Sequence, residues 1–137
     1  MIYPWHAIQL ASDQFVVSHG GGNRFLHRVC LVDADGRVEA HHGNESGRAI
    51  GQLNEPRQLA VNGNGSIIVA DCSNDRILVL NRCLSDPRCL PLPGNGSLYG
   101  PFSLCLDESR DRLYVGELTG QRVLVFDGVG ASSLTLE

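Results

Sequence analysis

The stretch "IIVADCSNDRILVLN" (residues 67–81) decides the fold. Two apolar runs flank the polar turn "DCSND" (residues 71–75), and Arg76 opens the second run. Asp71 and Cys72 stand together at the head of the turn, as an acid and a thiol would in a reactive site. The alternative is a structural hairpin, and the rest of the chain decides between them.

Extended upstream, the segment reads "PRQLAVNGNGSIIVADCSNDRILVLN" from Pro56. It aligns with "PFSLCLDESRDRLYVGELTGQRVLVFDG" from Pro101 and "PWHAIQLASDQFVVSHGGGNRFLHRVCLVDADG" from Pro4. Each unit has a proline, a short apolar segment, a polar turn and a strand ("FVVS", "IIVA", "LYVG"). A second polar turn carrying an arginine then leads to a last apolar strand. The prolines at 4, 56 and 101 are 52 and 45 residues apart, near the roughly 40–50 residues of a four-stranded propeller blade. The strands are short, β-branched and bounded by Gly, Asn and Asp. "NGNG" (62–65) and "DESRDR" (107–112) read as hairpin connections. "RVEAHHG" and "RCLPLP" supply fourth, outer strands. Continuous apolar runs such as "ILVL" and "VLVF" fit sheets buried on both faces, where half-exposed strands would alternate. The expected fold is all-β, a β-propeller of four-stranded antiparallel blades at about residues 3–53, 54–97 and 98–137.

The middle unit resembles the NHL repeat in its proline, Asn-Gly turn, "IIVAD", "NDRI" and closing strand. The third unit is similar, with Glu117 in place of Asp71 and Gln121-Arg122 before the last strand. The first departs most: His19 stands for the acid, and four residues are inserted before Arg28. NHL domains are usually six-bladed, so the resemblance implies that three NHL-type blades form half of a ring. Either the chain belongs to a longer protein, or two copies complete the ring as a homodimer.

Blade topology gathers three sets of residues at one end, the top face. These are the residues after the leading prolines (Trp5, Arg57, Phe102), the ends of the second strands (His19, Asp71, Glu117) and the turn arginines (Arg28, Arg76, Arg122). Trp, Tyr and Arg dominate binding hot spots. Trp5, Arg57 and Phe102, with His19, Arg76 and Arg122 beside them, are the candidate recognition surface. The alternative has the aromatics packed inward and Arg57 paired with an acid. Asp71–Arg76 and Glu117–Arg122 recur at equivalent places. A group repeated in successive blades suits a structural bracket, the carboxylate taking loop N–H groups and the guanidinium clamping carbonyls.

The sequence shows neither the metalloprotease, nucleophile-elbow nor phosphate-loop pattern. His41 and His42 are adjacent on a strand, so alternation sends them to opposite faces. No metal site, cofactor or catalytic residue is expected. Five cysteines (30, 72, 83, 89, 105) at irregular spacing make a poor disulfide framework. Cys83 and Cys89 bracket a short loop, but the odd count favours free thiols. Sequons begin at Asn44, Asn64 and Asn95, the latter two being Asn-Gly turn signals. The net charge is −4, all 11 basic residues are Arg, and neither a signal peptide nor a membrane span is visible.

These features point to a soluble, cytoplasmic, non-catalytic binding or scaffold module with a protein partner at its top face. RNA is the alternative ligand, disfavoured by Asp71, Glu117 and the net charge. NHL domains commonly serve as protein- or RNA-binding platforms, often in tripartite-motif ubiquitin ligases; the RING and B-box patterns of such ligases do not occur in this sequence. A second alternative is a fragment of a metal-dependent propeller hydrolase or lyase, with His19, Asp71 and Glu117 as ligands.

Overall fold

The computed structural model describes residues 3–92, 94 and 96–130. Each leading proline opens the first strand of a sheet: β1 is Pro4–Gln9, β5 Pro56–Val61 and β9 Pro101–Asp107. Proline, lacking an N–H, fits the first residue of an edge strand. The first sheet continues with β2 (Phe15–His19), β3 (His27–Val32) and β4 (Val38–Asn44). The middle sheet adds β6 (Ile67–Asp71), β7 (Arg76–Leu80) and β8 (Arg88–Cys89). The third adds β10 (Arg112–Glu117) and β11 (Val123–Asp127). Among the described residues all pairings are antiparallel between consecutive strands, giving sheets of four, four and three strands that resemble propeller blades.

The hairpins are built by their turn residues. The Asn62 carboxamide oxygen accepts from the N–H groups of Asn64 and Ser66, each at 3.0 Å, and Gly65 takes φ +80°. This is an Asx-type turn. In the third sheet a 3-10 turn, Glu108–Arg110, precedes Asp111 in the left-handed region. The Asp107 carboxylate accepts from Ser109 Oγ and from Arg110 through side chain and backbone. The bonds from Ser109 and Arg110 pull its pKa down to about 2. The expected outer strand "RVEAHHG" forms as β4. "RCLPLP" shrinks to the two residues of β8, plus a bond from Leu90 N–H to Ile77 O at 2.8 Å. The partner strand β7 begins at Arg76, one residue before Ile77, so little of it remains to pair beyond Leu90.

Two apolar clusters lie on either side of the middle sheet. Val16, Val29 and Leu31 of the first sheet pack with Leu59, Ile67, Val69, Leu78 and Leu80. Ala60, Ile68, Ala70, Ile77 and Val79 pack with Leu113, Val115 and Phe126 of the third. Alternate residues of β6 therefore enter different clusters, and every residue of that strand is buried. This accounts for the unbroken run "IIVA". "VLVF" behaves differently from expectation. Val123 and Val125 are 66% and 42% exposed, because the outward face of the third sheet carries no further sheet among the described residues.

All five cysteines are free: Cys30 and Cys72 are buried, and Cys83, Cys89 and Cys105 are exposed. Among the described residues no helix is long and apolar enough to cross a membrane. The sequon residue Asn95 and the end of the third unit, 131–137, lie outside the described residues.

Candidate functional site

Trp5, Arg57 and Phe102 are the second residues of β1, β5 and β9, the neighbouring innermost strands of the three sheets. Their shared position brings them together. The Arg57 guanidinium carbon lies 3.6 Å from the Trp5 ring centroid and 5.4 Å from that of Phe102. A cation over an aromatic face is held by the ring quadrupole. Trp5 Nε1 donates to Gly20 O at 3.3 Å, and an Arg57 terminal nitrogen lies 3.5 Å from the Glu55 carboxylate. Arg57 is largely covered, its Nε buried without a partner, while Trp5 keeps 43% of its surface exposed. The stack thus groups the three residues, sets Arg57 beside Glu55 and leaves part of Trp5 exposed.

Asp71 and Arg76 form the expected ion pair, 2.7 Å between Nε and Oδ2. Asp71 Oδ1 also accepts the Asn54 N–H at 2.8 Å, and Oδ2 accepts from the Asn74 carboxamide at 2.8 Å. Arg76 donates onward to the carbonyls of Arg48, Ala49 and Gln52. Burial pushes the Asp71 carboxyl upward, against the Asn54, Asn74 and Arg76 bonds that favour its ionised form. The pair clamps the segment leading into β5. Glu117 and Arg122 do the same before β9: Glu117 accepts from Arg122 Nε and from the Tyr99 N–H, and Arg122 donates to Ser97 O. Asn54 and Tyr99 each lie two residues before a leading proline, and Gln52 and Ser97 four before.

The longer acid brings a compensating change. Gly120 aligns with Asn74, and a Cβ at Gly120 would collide with the Glu117 carboxylate. The first unit has no such bracket. His19 pairs with Arg28 in register, but His19 Nδ1 and Arg28 Nε are buried without partners. Burial, and then the Arg28 charge, lowers the His19 pKa.

Loops and strand ends at this end carry most of the exposed large apolar side chains among the described residues. Tyr3, Trp5, Phe25, Ile50, Tyr99 and Leu118 are each at least 41% exposed. Sequence reasoning identified only Trp5 of these, because a lone aromatic in a loop has no periodic signal. Four arginines here are paired with carboxylates: Arg24 with Glu45, Arg57 with Glu55, Arg76 with Asp71 and Arg122 with Glu117. On β4, His41 is exposed and His42 buried, as alternation requires. Among the described residues no group of three or more His, Cys, Asp or Glu is placed to hold a metal ion. At the opposite end a groove of about 680 Å³ lies between the first hairpins of two sheets, lined by Leu10, Gln14, Asn62 and Arg82.

Residues 53–80 match the sequence model of the NHL repeat. No curated protein matches the chain. Among solved structures, one described as a streptogramin B lyase structure is similar at 17% identity and a TM-score of 0.66. The match covers 93% of this chain and 38% of that one. A protein of unknown function from Bacteroides caccae is similar at 16% identity and a TM-score of 0.51, covering 92% and 46% respectively. This chain therefore spans less than half the length of either structure, and at these identities the likeness is one of fold.

Proposed function

We propose that this chain contributes three NHL-type blades, half of a six-bladed propeller, and works as a non-catalytic interaction module whose top face takes a protein partner. The observation that carries the reading is the concentration of exposed apolar side chains, Tyr3, Trp5, Phe25, Ile50, Tyr99 and Leu118, at the strand ends and loops of one face. Monomeric proteins rarely expose large contiguous apolar patches outside sites of association. The NHL match over 53–80 and the likeness to the two longer structures support the ring. An odd number of cysteines, two of them buried, suits a reducing compartment such as the cytoplasm.

Protein is favoured over RNA because four arginines of this face already have carboxylate partners. A phosphate backbone is held by basic groups free to replace its counterions. The likeness to a lyase structure raises an enzymatic reading, with His19, Asp71 and Glu117 as ligands. Against it, both oxygens of Asp71 and of Glu117 are engaged by loop amides and arginines.

Arg57 is too covered to be a clean probe, so Trp5→Ala with Tyr99→Ala is the variant of choice. Affinity capture followed by mass spectrometry compares it with the unaltered chain, and an RNA pool is tested in parallel. The expected result is loss of protein capture with a melting temperature within a few degrees of the parent. Unchanged capture, or binding of RNA alone, overturns the reading.

A further inference from the structure

Side-chain-to-backbone bonds fasten each sheet to the next, Ser18 Oγ to Arg57 O at the first joint and the Gly63 N–H to Glu108 at the second among them. Two bonds per joint occupy the same repeat positions in both. The first comes from the third residue of the leading strand. His6 Nδ1 accepts the Leu59 N–H at 3.0 Å, and Gln58 Oε1 accepts the Leu104 N–H at 3.0 Å. The second comes from the residue before the turn arginine. His27 Nδ1 accepts the Glu55 N–H at 2.9 Å, and Asp75 Oδ1 accepts the Gly100 N–H at 2.7 Å. Glu55 and Gly100 each immediately precede a leading proline. The joints match in geometry and differ in chemistry: imidazoles fasten the first to the middle sheet, an amide and a carboxylate the middle to the third.

We infer that the joint between the first and middle sheets is an acid-sensitive latch, released by protonation of His6 and His27, while the equivalent joint between the middle and third sheets is not. An imidazole nitrogen accepts a hydrogen bond only where it carries no proton. His27 Nε2 lies at hydrogen-bonding distance from Asn23 O, which fixes the N–H there and leaves the Nδ1 lone pair for Glu55. A proton added to Nδ1 of either ring would face a backbone N–H, replacing attraction by repulsion. A carboxamide does not titrate in this range, and an aspartyl carboxylate ordinarily does so only near pH 4.

Ser18 on β2 stands opposite His6 in register, His19 pairs with Pro4 across the bulge, and Arg57 of β5 lies over the ring of Trp5, next to His6 in sequence. Beside His27 stand Arg28 on its own strand, the Arg24–Glu45 pair near its loop, and Asn44 opposite on β4. The nearest acid on the middle sheet, Glu55, accepts from Ser73 Oγ and pairs with Arg57. Burial lowers the His6 pKa. Held neutral in the fold, such a histidine stabilises fully above the unfolded value near 6.5, and that contribution is lost as pH falls.

The experiment is amide hydrogen exchange on the whole chain, read by nuclear magnetic resonance at pH 7.5 and 5.0 and corrected for intrinsic rates. Protection of the Leu59 and Glu55 amides is expected to fall about tenfold or more, with less than about threefold change at Leu104 and Gly100. Equal loss at both joints, or none at Leu59 and Glu55, overturns the inference. His6→Gln installs the residue found at the other joint, and should remove the pH response at Leu59 while leaving it at Glu55. A response at Leu59 that survives in His6→Gln also overturns it.

Discussion

Asp71 holds the turn arginine, a turn asparagine and the backbone of the preceding segment with one buried carboxylate. Asp71→Asn removes the charge and turns an NH₂ group toward one of these donors. The expected cost is about 3–5 kcal/mol, the range for breaking a buried pair, read as a lower urea unfolding midpoint. Glu117→Gln should cost less, because Arg122 is half exposed and solvent screens the pair. Equal losses at the two positions would contradict that shielding argument. The acids and arginines of the bracket were legible because the same residue types recur at the same places. Its other half was not: Asn54 and Tyr99 serve through their amides, which every residue but proline possesses. The exchange of Asp71 with Asn74 for Glu117 with Gly120 was hidden too, since only packing reveals that one residue makes room for the other. The His6–Gln58 and His27–Asp75 fasteners share a role without sharing a residue type, so comparison of the repeats passed over them.

Strands of similar composition meet different fates according to their place. Ile68 in β6 is fully buried between two sheets, whereas Val125 in β11 faces outward. Ile68→Ala should cost about 2–5 kcal/mol, as core truncations to alanine do. Val125→Ala should cost under about 1 kcal/mol, the span of strand propensity. Paired denaturation curves check both; a large loss at Val125 would show that its face is covered. The unbroken apolar runs and turn dipeptides made the sheets, their order and the leading prolines readable. They could not distinguish a strand covered on both sides from one waiting for a neighbour, because "ILVL" and "VLVF" carry the same pattern. The shortening of β8 follows its partner, since β7 begins at Arg76, one residue before the Ile77 carbonyl that Leu90 already bonds.

At the scale of the molecule, the middle sheet is covered on both faces and, among the described residues, its neighbours on one. The outward face of the third sheet aligns Val123 with Gly116 and Ser103, and Val125 with Tyr114 and Cys105. The inner faces of the same sheets show what such a surface does in this fold: it packs against another sheet. The ring reading supplies that sheet from further blades, and a second copy of the chain is the form in which the isolated chain supplies its own. Apolar area removed from water contributes about 25 cal/mol per Å², so these faces favour association once the chain is concentrated. Sedimentation velocity at tens of micromolar should therefore show species heavier than 14.8 kDa. Val125→Asp should return the chain to monomer while leaving its unfolding midpoint nearly unchanged, since the residue is exposed within the single chain. Association that survives Val125→Asp would place the contact elsewhere, with the apolar loops of the top face as the next surface to alter.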